Sequence, residues 1–225
     1  MICFYFIKWE SWNPILRVGK IKLYNMKKIF TILTVVALTT TVSFAQVQWG
    51  ATAGINMANV AYSGDGDLDT DMRLGIRLGV TADITLSDAM TLSTGVLYSV
   101  KGFSQSIDYS SLGLGKIEAD QSLNYMEIPL HVSYGVSDAF SLIAGPYIGI
   151  LVGTTVTIDG EDQDADTDGM RAMDIGLTLG TAYSVSDAIS INAGYQMGLT
   201  SLDEDGESDI TNSNILIGMT YSFGS

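Results

Sequence analysis

The chain has 225 residues, 47% apolar and 16% charged, with 25 acidic residues against 11 basic and a net charge of −14. That much apolar material excludes a disordered chain, and the acidic balance opposes binding to nucleic-acid phosphate. A single Cys, Cys3, and a single His, His131, exclude a disulfide framework, a Cys-ligated zinc site and a multi-histidine metal site.

The first recognisable element is an address. Met26-Lys27-Lys28 is followed by an apolar run from Ile29 to Leu38, and the stretch after it ends in Ser43-Phe44-Ala45. A basic start, a short apolar core and small residues at −3 and −1 describe a secretory signal peptide over 26–45, cleaved after Ala45. An uncleaved anchor would need about 20 apolar residues, more than this core supplies. Residues 1–25 fit no signal pattern and are read as an extension from a mis-called upstream start. The expected mature chain, 46–225, keeps five basic residues (Arg73, Arg77, Lys101, Lys116, Arg171) against 24 acidic, so its net charge is 5 − 24 = −19.

From residue 47 the chain alternates apolar and polar residues. The first such segment, 47–58, places Trp49, Ala51, Ala53, Ile55 and Met57 on one face. The second, 74–86, sets Leu74, Ile76, Leu78, Val80, Ala82, Ile84 and Leu86 against Arg73, Gly75, Arg77, Gly79, Thr81, Asp83 and Thr85. A period of two is the signature of a strand with one apolar face. The same pattern runs through 90–101, 123–136, 140–153, 173–185, 189–199 and 215–223. Ser-Asp-Ala recurs at Ser87-Asp88-Ala89, Ser137-Asp138-Ala139 and Ser186-Asp187-Ala188, each time between two alternating segments. Such a repeat marks short turns of one type. The remaining connections, near 59–72, 102–122, 154–170 and 200–214, are long. Short and long connections alternate, so all long loops gather at one end and both termini at the other. The expected fold is all-β, an eight-stranded antiparallel up-and-down transmembrane β-barrel.

The polar face decides which side points inward. It is rich in Gly and carries Arg73, Arg77, Asp83, Lys101, Glu127, His131 and Asp174. Eight strands enclose a lumen that side chains just fill, and a nearly charge-free outer face suits lipid. Apolar-face aromatics bunch toward the ends, with Trp49, Tyr134, Phe140, Tyr183, Tyr221 and Phe223 at the short-turn end and Tyr98 and Tyr195 nearer the loops. Interfacial girdles of an outer-membrane barrel have this distribution.

Several segments resemble the outer-membrane β-barrel family common in Bacteroidota and often labelled PorT-like. They are Trp49-Gly50-Ala51-Thr52-Ala53-Gly54-Ile55-Asn56, Leu123-Asn124-Tyr125-Met126-Glu127-Ile128-Pro129-Leu130, Ala144-Gly145-Pro146-Tyr147-Ile148-Gly149, Asp174-Ile175-Gly176 and Ile217-Gly218-Met219-Thr220-Tyr221-Ser222-Phe223. The resemblance spans the mature chain, and Tyr-x-Glu-Ile-Pro-Leu is its most specific part. It implies an outer-membrane location and little else; a barrel so placed is expected to have outer-membrane lipid and, during insertion, the barrel assembly machinery as partners, with periplasmic termini and extracellular long loops. It carries over no functional residue.

Two sets of side chains invite a chemical reading. The lumen charges Arg73, Arg77, Asp83, Lys101, Glu127, His131 and Asp174 form either a structural plug or the selectivity constriction of a narrow porin-like channel for small solutes. A narrow interior makes unpaired charge costly, which favours the plug. In the third loop, Asp162, Asp164, Asp166 and Asp168 alternate, and Asp164-x-Asp166-x-Asp168-Gly169 matches the first half of a calcium loop. Its twelfth position is Ile175 rather than a bidentate Glu, so the expectation is a solvated acidic rim, with weak Ca²⁺ or Mg²⁺ binding as the sharper alternative. His131 lies mid-strand with no Ser nucleophile marked beside it. The chain is therefore expected to be non-enzymatic, without a cofactor, serving the cell envelope structurally or through contacts of its acidic loops.

Overall fold

The structure, a computed structural model, describes residues 47–62, 70–108, 116–158, 161–165, 167, 169–204 and 209–223. The expected extension, the signal peptide and Gln46 lie outside the described residues. The barrel belongs to a compact unit spanning Phe44–Ser225.

Nine strands are present among the described residues: β1 (Val47–Tyr62), β2 (Arg73–Ser87), β3 (Met90–Asp108), β4 (Lys116–Gly135), β5 (Phe140–Ile158), β6 (Glu161–Ala165), β7 (Met173–Ser184), β8 (Ile189–Gly198) and β9 (Ile210–Ser222). Their order is β4-β3-β2-β1-β9-β8-β7-β5-β6, and a further pairing of β4 with β5 closes the ring. Every pairing is antiparallel. Eight strands make the closed barrel, as alternation predicts. The ninth, β6, folds back on β5 beyond the point where β7 leaves it, pairing Thr154–Ile158 with Ala165–Glu161.

The loops differ from expectation in extent. The segment 102–122 is mostly strand, because β3 and β4 stay paired out to Asp108 and Lys116. Segment 154–170 contains the end of β5 and all of β6. Closure of the ring supplies every strand with a partner, so pairing continues past the apolar band wherever two neighbours remain in register.

Side chains alternate across the wall as the period requires. Leu74, Val80 and Leu179 are 69%, 51% and 64% exposed, while Lys101, Glu127 and Gln196 are fully buried. That is a soluble protein turned inside out, and only an apolar solvent makes the exposed band favourable. Among the described residues no helix is long and apolar enough to cross a membrane. Trp49, Tyr134, Phe140, Tyr183, Tyr221 and Phe223 project outward at the short-turn end, and the rings of Tyr221 and Phe223 meet edge-on at 5.7 Å.

The Ser-Asp-Ala repeat has a mechanical explanation. In two of the turns the Ser side chain caps the start of the next strand: Phe140 N–H donates to Ser137 Oγ and Ile189 N–H to Ser186 Oγ, both at 3.2 Å. The third turn is tighter, with Ser87 paired directly to Met90.

Candidate functional site: an ion-paired lumen and its vestibule

The inward face sets large side chains beside glycines on adjoining strands. Arg77 lies opposite Gly54, Leu97 opposite Gly79, and Glu127 and Asp174 flank Gly149 from either side. Tyr147 lies opposite Gly176, where an added Cβ would fall 2.5 Å from the tyrosine ring. Glycine at these rungs creates the volume that its neighbours fill.

A single ionic network occupies that volume. Lys101 Nζ lies 3.2 Å from Glu127 Oε2 and 3.1 Å from Asp174 Oδ2. Glu127 Oε1 accepts from Arg77 Nη2 at 2.9 Å and from Gln196 Nε2 at 3.0 Å. Asp174 Oδ2 accepts from Asn212 Nδ2 at 2.9 Å and from the Tyr147 hydroxyl at 3.2 Å. The Lys101 ammonium also sits 4.0 Å from the Tyr147 ring centroid and 5.4 Å from that of Tyr125. Asn56 of β1 donates to Ser99 Oγ at 2.9 Å and Val100 O at 3.0 Å just beside this cluster. All eight barrel strands thus contribute.

The charges balance: Arg77 and Lys101 against Glu127 and Asp174. Burying four ions is costly, and hydrogen-bonded pairing offsets that cost while fixing one register of the strands. The structure therefore brings four of the seven expected lumen charges together. Arg73 stays apart at the loop end, where among the described residues Nη1 donates to its neighbour Leu74 O at 3.4 Å. Asp83 and His131 lie on the other side, toward the short turns. The neutral members Asn56, Tyr147, Gln196 and Asn212 were not among the expected site residues.

Below the network, toward the short turns, the lumen opens into a cavity of about 310 Å³. Its walls are dominated by hydroxyls, among them Thr52, Thr81, Ser93, Ser133 and Thr220, with Arg77 at its inner end and Asp187 at the β7–β8 turn. The buried side chains of Lys101, Glu127 and Asp174 lie between it and the loop end.

At the loop end, Arg171 joins two connections. Its Nε donates to Ser201 O at 2.8 Å and its Nη2 to Asp203 O at 3.1 Å, while its backbone N–H reaches Leu202 O at 2.7 Å. Of the acidic set in the third loop, Asp162 accepts from Thr157 Oγ1 at 2.6 Å. Asp164 is described only as backbone, and Asp166 and Asp168 lie outside the described residues. Among the described residues no three His, Cys, Asp or Glu side chains are grouped to hold a metal.

An apolar outer wall around a polar, ion-paired core defines a transmembrane β-barrel. Residues 44–204 match the family described as outer membrane protein beta-barrel domain, and the chain belongs to that family. It is accordingly an outer-membrane protein embedded in the lipid bilayer. Among solved structures it is similar to Neisserial surface protein A, with 13% identity, 78% of this chain and 97% of that one covered, and a TM-score of 0.52. It is also similar to Ail, the attachment invasion locus protein of Yersinia pestis, at 15% identity, 79% and 99% coverage and a TM-score of 0.41. No curated protein matches the chain.

Proposed function

We propose that this chain is a non-conducting, non-enzymatic outer-membrane barrel of the PorT-like type found in Bacteroidota, serving the envelope structurally or through contacts of its acidic loops. The observation that carries this reading is the closed network of Arg77, Lys101, Glu127 and Asp174, with every barrel strand contributing at or beside it. A solute crossing the barrel would have to displace buried, mutually paired ions. The non-enzymatic part of this reading rests on the sequence, which marks no Ser nucleophile beside His131. Short turns and termini share one end, which supports periplasmic termini and extracellular long loops. Membership of the outer-membrane barrel family supports insertion by the barrel assembly machinery.

The rival reading is a narrow porin-like channel, and the vestibule is the feature that favours it. Planar-bilayer recording of purified protein separates the two. The plugged barrel gives no steady openings at ordinary holding potentials, and steady unitary openings of the unmodified protein overturn it. Protease added to intact cells tests the orientation: cuts fall in the long loops, and cuts confined to the short turns reverse the assignment.

A further inference from the structure

The vestibule has an uncompensated charge. Asp83 lines its wall, and none of the ion pairs among the described residues involves Asp83. The one guanidinium lining the cavity, that of Arg77, is held by Glu127 at 2.9 Å. A second carboxylate, Asp187, stands at the mouth. The field at this end of the lumen is therefore negative, and low-dielectric walls focus it.

The register gives the charge a setting. Gln48, Asp83, Ser93 and His131 are consecutive partners across β1, β2, β3 and β4, so they form one rung on the cavity wall. Neighbouring members are about 4.8 Å apart along the rung. Ser93 is the register partner of Asp83, which sets its hydroxyl beside the carboxylate. His131 is 9% exposed, lines the cavity and has no partner for Nε2, and Thr81 Oγ1, on the same face two residues from Asp83, is buried without a partner. A neutral imidazole with its proton on Nδ1 presents Nε2 as an acceptor. Carboxylate, amide oxygen, hydroxyl and imidazole nitrogen together form a set of acceptors around one negative charge.

We infer that the vestibule is a binding site for a small organic cation carrying a primary ammonium group, with Asp83 as counter-charge and Thr81, Gln48 and His131 as neutral acceptors. An ammonium brings three donors and a positive charge, which is what this rung lacks. Anions are repelled by Asp83 and Asp187, and a neutral polyol leaves the carboxylate uncompensated. The ligand enters from the short-turn end and goes no further, because the ionic network forms the ceiling. Binding and conductance are separate properties here: loss of binding leaves the plug intact, and a conducting lumen does not remove Asp83.

The test is calorimetric titration of the folded protein in detergent micelles with 1,5-diaminopentane, at constant ionic strength and about pH 8, where free imidazole is neutral. Two comparison ligands are 1,5-pentanediol and glutarate. The expected result is saturable binding of the diamine alone, weakened about tenfold or more by Asp83→Asn, the loss that follows removal of a charge-assisted hydrogen bond. Asp187→Asn, at the exposed mouth, is expected to change the affinity far less. Folding of each variant is checked by heat-modifiable gel mobility. Absence of saturable diamine binding overturns the proposal. So does equal affinity in folded Asp83→Asn, or equal binding of the diol. Should Asp83→Asn not fold, Thr81→Val and His131→Leu replace it, and undiminished affinity in both has the same force.

Discussion

The ammonium of Lys101 rests 4.0 Å from the ring centroid of Tyr147, and the hydroxyl of that ring donates to Asp174, the carboxylate Lys101 itself holds at 3.1 Å. One tyrosine thus serves the cation with its face and the anion with its edge. The arrangement lets a lysine lose all its water while keeping two carboxylates and an aromatic face.

Removing that cation exposes the design. Lys101→Met leaves Glu127 and Asp174 buried with one fewer positive charge between them. Breaking a buried ionic cluster by deleting one partner costs about 3–5 kcal/mol. Urea unfolding of the barrel in lipid vesicles is the measurement. Lys101→Met combined with Asp174→Asn should recover part of the loss, since the second change removes one uncompensated carboxylate. A combined variant no more stable than the single one shows that Lys101 acts by packing alone.

Much of this architecture is readable from the residues, and the boundary of what is readable is physical. Leu74, Ile76, Leu78 and Val80 announce a lipid-facing strand because the period of two is a local property. Lys101, Glu127 and Asp174 stand out as charges on the polar face for the same reason. Which of them meet is another matter. Strand tilt and the stagger between neighbours set which residues of different strands share a level, so Arg77, Lys101, Glu127 and Asp174 meet, whereas Arg73 and Asp83 sit toward opposite ends of β2. Asn56, Gln196 and Asn212 are uncharged and carry no signal, although each is fully buried. Strand β6, Glu-Asp-Gln-Asp-Ala, has poor strand propensity, and only its hairpin with β5 makes it a strand.

Gly176 makes room for Tyr147. An alanine there places Cβ 2.5 Å from the ring and 2.3 Å from the carbonyl oxygen of Met197. Gly176→Ala is expected to destabilise the barrel by about 1–3 kcal/mol, the usual range for overpacking. Tyr147→Ala in the same chain removes the ring clash but not the carbonyl clash, so it should relieve only part of the strain. A fully neutral Gly176→Ala in vesicle-based unfolding means that the ring and strand shift freely.

Arg171 couples two loop-end segments through three hydrogen bonds, two from its guanidinium and one from its backbone. Arg171→Ala removes the first two and leaves the third. Limited proteolysis should then cut faster within 166–172 and 199–209, while urea unfolding of the barrel shifts by less than about 1 kcal/mol, as expected for a partly exposed contact. Unchanged cleavage would mean that the backbone bridge between Met170 and Asp203 suffices to hold the two segments.

The sharpest check on the wall's orientation uses two adjacent residues. Val80 is 51% exposed on the outer face, whereas Thr81 lines the vestibule with its hydroxyl buried. Arginine at Val80 puts a guanidinium among acyl chains near the middle of the band, at a cost of about 2–4 kcal/mol. Arginine at Thr81 enters a hydroxyl-lined cavity of about 310 Å³ that holds an uncompensated carboxylate, Asp83, on the same strand. Crowding by the longer side chain adds strain, but the charge is hydrated or paired. Val80→Arg is therefore expected to reduce the folded fraction, read from heat-modifiable gel mobility after refolding into vesicles, more than Thr81→Arg does. Equal losses from the two variants would show that the apolar face is not the one that meets lipid.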